Sequence, residues 1–177
     1  MRRSAGLRVK PANSPEPTMG SREDLDADIA AHPFLLGLSE HHVRLLADCA
    51  TRVAFVADQV LFREGETANR FYLIERGQVV LETNTVAGKT VVIDRIGNCD
   101  LLGWSWLFPP HLWRFTARAS EATTAIFFYG TILREYCDKD HTLGYELLKR
   151  MSEVMTRRLQ LARAKLAEEQ GAASKAE

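Results

Sequence analysis

The sequence predicts a mainly β domain with flanking α-helices: a double-stranded, jelly-roll-like antiparallel β-roll with N-terminal helices and a long C-terminal dimerisation helix. Three observations predict it. Between Thr51 and Phe128, short runs of Val, Ile, Phe and Thr are broken at Asp58, Gly65, Gly77, Gly88 and Gly97, the roughly ten-residue turn spacing of an antiparallel sandwich or roll. Before this stretch apolar residues recur at helical intervals, and after it they do so over a much longer run. The chain of 177 residues has the length of one domain.

Residues 1 to about 23 carry Pro11, Pro15 and Pro17 among Ser, Asn, Gly and Arg and are too poor in apolar side chains to fold alone, so a disordered tail is expected there. The domain proper is expected over 24–168. From Asp24 the spacing of Leu25 and Ile29 is helical. After Pro33, Phe34, Leu35 and Leu38 precede Ser39, a cap for a second short helix through Val43, Leu45 and Leu46. The roll, 51–128, contains Phe71–Ile74, Gln78–Leu81 and Thr90–Ile93, which read as successive hairpin strands around the turn at 84–89. Helices return over 131–168: a short one through Leu133 and Tyr136, then a long one from about His141 to Ala167, with Asp140 as its cap. Along the long helix Leu148, Met151, Met155, Leu159, Ala162 and Leu166 form one stripe, the seam expected of a helix pair. Leu143, Leu147, Val154 and Leu161 form another. Two stripes imply two partners, the roll and a second copy. Residues 169–177 read as a polar tail.

Composition excludes several functions. Lys+Arg and Asp+Glu are equal at 23 each, without the basic excess of a duplex-DNA binder. Cys49, Cys99 and Cys137 fit neither a disulfide framework nor a CxxC site, which points to a reduced, cytoplasmic compartment. Met1-Arg2-Arg3 is followed by no apolar segment of signal-peptide type, and no run is long enough to span a membrane.

Leu61-Phe62-Arg63-Glu64-Gly65-Glu66, then Arg70-Phe71-Tyr72-Leu73-Ile74-Glu75-Arg76-Gly77-Gln78-Val79, and later Leu101-Leu102-Gly103, resemble the signature of the cyclic nucleotide-binding domain family. The likeness covers about residues 30–168 and is greatest to the sensor half of catabolite activator and Fnr-type regulators. It implies a phosphate-binding cassette starting at Gly103, with a hydroxyl at Thr116 and a closing Ala119. Counted without a gap, the family's ribose-binding Glu falls on Trp104 and its phosphate-binding Arg on Trp113, with Arg114 one position late. A hydrogen bond to a charged group contributes about 1.5–3 kcal/mol, and stripping one partner from a buried charge pair costs about 2–5 kcal/mol. Without both charges, a micromolar site falls to about millimolar or worse. The resemblance therefore implies a ligand site at Gly103, Trp104, Ser105, Trp106, Trp113, Arg114 and Thr116, in which the amides of Trp104, Ser105 and Trp106 can still hold a cyclic nucleotide or another small anion. A ligand stacked on tryptophan, and tryptophans filling the pocket outright, both stay open.

Other constellations read as structure. Asp24-x-Asp26-x-Asp28 lacks the glycine and closing Glu of a calcium loop. Gly103-x-Ser105 lacks the closing glycine of a nucleophile elbow. His41 and His42 are adjacent and diverge on a helix, which suits solvated histidines better than a metal pair. A haem reading on Cys99, His111 and Cys137 ranks behind free cysteines. The sequence thus points to a non-catalytic regulatory module, without a metal, that pairs with itself and whose altered cassette takes either a non-standard ligand or a protein partner. A self-sufficient DNA-binding factor, resting on Lys149-Arg150 and Arg157-Arg158, is the second reading; a transcription regulator of catabolite activator type acting with a separate DNA-binding partner and a weak cyclic nucleotide binder are further alternatives, and an enzyme is the last.

Overall fold

The computed structural model describes residues 16–17 and 21–173, and expectations for the other residues lie outside it. Within the segment expected to be an unfolded tail, β1 (Glu16–Pro17) pairs antiparallel with Val53 and Ala54 at the edge of a sheet, where proline is tolerated. Helix α1 (Arg22–Ala31) starts earlier than Asp24 because Ser21 and Asp24 form a capping box, each accepting from the other's amide. The hydrogen bonds from the Ser21 side chain and backbone hold the Asp24 carboxyl below the usual carboxylate range. The acidic run is thus a helix start, and Asp28 pairs with Arg52. In α2 (Glu40–Asp48), Ser39 caps by accepting from the His42 amide.

Eight strands follow: β2 (Ala50–Phe55), β3 (Val60–Phe62), β4 (Arg70–Arg76), β5 (Val79–Asn84), β6 (Thr90–Ile96), β7 (Leu101–Leu102), β8 (Thr116–Ala119) and β9 (Thr123–Tyr129). They form two antiparallel sheets, ordered β1-β2-β9-β4-β7 and β3-β8-β5-β6. The hairpin expected at 84–89 joins β5 to β6, with the Thr85 amide bonded to the Lys89 carbonyl at 2.9 Å. β4 and β5, expected to be a hairpin too, lie in different sheets. Gly77 makes the crossing: its φ is +97°, and an added Cβ would sit 2.6 Å from the Ala122 carbonyl oxygen.

Alternation along the strands sorts the core into two compartments. Phe71 and Leu73 of β4, with Ile126 and Phe128 of β9, face the helices. Tyr72 and Ile74, with Ala125 and Phe127, face the roll interior. The helix side contains the Phe71 ring stacked on Phe128 at 4.5 Å and on Trp106 at 5.5 Å.

After β9 come α3 (Gly130–Lys139) and α4 (His141–Ala173), the latter running past residue 168. Asp140 caps α4, its Oδ1 accepting from the amides of Thr142 and Leu143, while its Oδ2 lies 3.0 Å from His42 Nε2. His42 is buried, against the expectation of a solvated histidine, because the inner face of α2 meets the start of α4; His41 stays exposed. Of the stripe assigned to a helix pair, Leu148, Leu159, Ala162 and Leu166 are exposed and Met155 is half-buried. Met151 corrects that assignment. It is fully buried with Leu143 and Leu147, because the steps 143, 147, 151 and 154 keep one helical face against the body. Among the described residues, no helix is long and apolar enough to cross a membrane.

Candidate functional site

β7 delivers the chain to Gly103, whose φ of +88° turns it into a single turn closed by the Leu107 amide on the Trp104 carbonyl at 3.1 Å. The amides of Trp104, Ser105 and Trp106 donate to no main-chain carbonyl among the described residues. The loop then doubles back through a cis Pro109–Pro110 peptide. Backbone bonds tie it to the glycine turn before β4: Trp113 amide to Glu66 carbonyl, Gly65 amide to Trp113 carbonyl, both 2.9 Å, and Ala68 amide to His111 carbonyl at 2.7 Å. These bonds fix where the Trp113 side chain goes. It enters the roll interior, 2% exposed, and stacks on Phe62 with ring centroids 3.7 Å apart and planes 13° from parallel. A Cβ at Gly103 would lie 2.8 Å from the same indole.

Beside this stack is a cavity of about 60 Å³ lined by Phe62, Leu81, Leu102, Gly103, Trp104, Ser105, Trp113, Arg114, Phe115 and Arg158. Five of the residues expected to form the site meet there: Gly103, Trp104, Ser105, Trp113 and Arg114, the last exposed. Two do not. Trp106 follows the opposite face of the turn into the helix-side core, fully buried, with Arg134 donating to its carbonyl. Thr116 accepts from the Glu64 amide at 3.1 Å and faces a separate cleft with Arg63, Glu82 and Arg118.

The residue that sequence reasoning missed is Arg158 of α4. Its side chain is 12% exposed, and its guanidinium carbon sits 5.1 Å from the centroid of the Trp104 ring. Nη2 donates to the Leu101 carbonyl, Nε is 3.9 Å from Asp94 Oδ2, and Nη1 is buried without a partner. Burial lowers its pKa, against the pull of Asp94 and Asp100. The signal was present: residue 158 continues the steps 147, 151 and 154, a charge on the body-facing stripe.

The lining contains two guanidiniums and aromatic or aliphatic walls, and no carboxylate, histidine or thiol. It can bind an anion or an apolar group but holds no acid–base pair. Elsewhere, burial raises the Cys49 thiol to about 12 and Cys137 to about 11, and all three cysteines are free. No group of three metal-ligating side chains occurs among the described residues.

A family model described as cyclic nucleotide-binding domain matches residues 52–140. No curated protein matches the chain. Solved structures share the fold. A protein assigned as cyclic nucleotide-binding from Geobacter metallireducens is 23% identical with a TM-score of 0.68, over 80% of this chain and 99% of that one. A cyclic nucleotide-binding domain from Methylobacillus flagellatus is 18% identical with a TM-score of 0.70, over 84% and 83%. The N-terminal domain of a transcriptional regulator from Streptomyces coelicolor is 20% identical with a TM-score of 0.59, over 78% and 94%.

Proposed function

Since the chain belongs to the cyclic nucleotide-binding domain family, we propose that it is a regulatory module of that family whose altered cassette answers to a non-standard small ligand or a protein partner. The observation that carries this reading is Trp113. At the position of the family's phosphate-binding Arg stands an indole packed on Phe62 and against Gly103. The cavity left beside it, about 60 Å³, compares with about 300–1,000 Å³ for pockets that enclose a drug-sized ligand. Trp104 likewise replaces the ribose-binding acid with a ring stacked under Arg158. Without a carboxylate, histidine or thiol in the lining to activate Ser105, the module acts through shape and contact and not through chemistry of its own.

Its output lies on α4, where Leu148, Met155, Leu159, Ala162 and Leu166 leave the body of the chain uncovered. A two-fold pairing of this stripe with its copy buries it, giving a homodimer in the cytoplasm. Calorimetry with cyclic AMP and cyclic GMP tests the reading. Both are expected to bind more weakly than about 100 μM; a low-micromolar Kd for either would overturn it.

A further inference from the structure

We propose that Arg158 is a ligand-binding residue and that the cavity it shares with Trp104 takes a short aliphatic carboxylate. The inference rests on the reading that the cassette has lost its cyclic nucleotide, and it deepens that reading by naming the ligand's chemistry and the cation that receives it. A guanidinium withdrawn from water needs its donors satisfied. Here Nη1 has none of its partners, and Asp94, at 3.9 Å from Nε, is beyond hydrogen-bond reach. Trp104 covers one face of the planar group, which leaves its edge to a two-oxygen acceptor. Phe62, Leu81 and Phe115 supply apolar wall, which suits a hydrocarbon chain and offers the outer oxygens of a phosphate no partner on that side. A volume of about 60 Å³ holds roughly four to six non-hydrogen atoms, the size of a three- or four-carbon acid. Since Arg158 is part of α4 while Gly103 and Trp104 belong to the cassette, the bound carboxylate joins the sensor loop to the output helix.

Nitrogen-15 NMR on the full chain, reading the Trp104 indole and Arg158 Nε signals, tests this with butyrate, butyramide, inorganic phosphate and cyclic AMP. Butyrate is expected to saturate with a millimolar Kd, with butyramide and phosphate at least about tenfold weaker. Arg158→Gln is expected to weaken butyrate by about tenfold or more, and Arg44→Gln, on the exposed face of α2, by less than about twofold. Dispersion of each spectrum reports folding; should Arg158→Gln lose it, Arg158→Lys, which keeps the charge without the flat stacking, and the butyramide comparison decide. Butyrate and butyramide binding alike, an Arg158 variant binding butyrate as the parent does, phosphate matching butyrate, or no saturation by about 0.1 M would each overturn the proposal. Micromolar cyclic AMP binding that survives Arg158→Gln would instead sink the reading of the cassette, whereas silence toward butyrate and cyclic AMP together sinks only this inference.

Discussion

At Gly103 the backbone holds φ at +88°, and an added Cβ would meet the Trp113 ring at 2.8 Å. Conformation and contact both oppose a side chain there, so Gly103→Ala is expected to cost about 1–3 kcal/mol. Trp113→Ala removes a buried ring and is expected to cost about 3–5 kcal/mol. Combined, the clash disappears while the φ strain stays, so urea unfolding of the double-mutant cycle is expected to show a coupling of about 0.5–3 kcal/mol. Strictly additive costs would place the indole elsewhere. Trp104→Glu with Trp113→Arg returns the family's two charges and is expected to raise cyclic AMP affinity by about tenfold or more, measured by calorimetry. No gain would break the positional correspondence. The count from Gly103 sets Trp104 and Trp113 against the family's charged positions as an expectation, and this double variant is its test. That Trp113 would stack on Phe62 could not be read from the sequence, because that contact joins residues of different strands and loops through backbone bonds to Gly65 and Glu66.

Helix α4 was legible in outline, since three- and four-residue steps announce a helix whatever it packs on. The assignment of its faces was less so: the two stripes centre about 110° apart, and Met151, on the flank of the outer one that turns toward the inner, packs with Leu143 and Leu147. The two faces predict opposite outcomes for the same chemical change. Met155→Glu or Leu159→Glu is expected to give a folded monomer, by sedimentation with circular dichroism as the control, because like charges would face each other across the two-fold. Met151→Glu is expected to unfold the chain, since its carboxylate would be buried without a partner. Parent protein sedimenting as a monomer at tens of micromolar would remove the dimer. At the start of α4, the Leu143 amide first, then the His42 side chain and the Thr142 amide, hold the Asp140 carboxyl below the usual carboxylate range. A depressed pKa means that its contribution to stability is complete above the unfolded value, about 3.9, and is lost as pH falls through the folded one. Asp140→Ala is therefore expected to melt earlier than the parent at neutral pH, with the gap closing in acid. A gap that stays constant between about pH 7 and pH 2 would show that the carboxylate's charge has no part in the cap.

Taken whole, the chain has no net charge, and three of the six Lys and Arg residues of α4 are engaged by their own protein. Arg157 pairs with Asp100, Arg158 lies by Asp94, and Arg150 bonds Glu146 and the Phe34 carbonyl. Selection from random duplex DNA is expected to return no consensus, because specific binders hold at least about a 10³ preference over random sequence. A recovered motif would restore the DNA-binding alternative. The order of helices and strands was readable from turn spacing, while the division of strands between sheets was not, since it depends on pairings across the whole roll. One such pairing governs how the chain is made. β9 lies between β2 and β4, with Ala50 opposite Phe128 and Phe71 opposite the same residue. Until the ribosome has released that last strand, β2 and β4 are both open edges carrying apolar side chains, and no local hairpin can close them. The first half of this protein therefore waits unfinished during synthesis, with those two edges open to aggregation until β9 arrives.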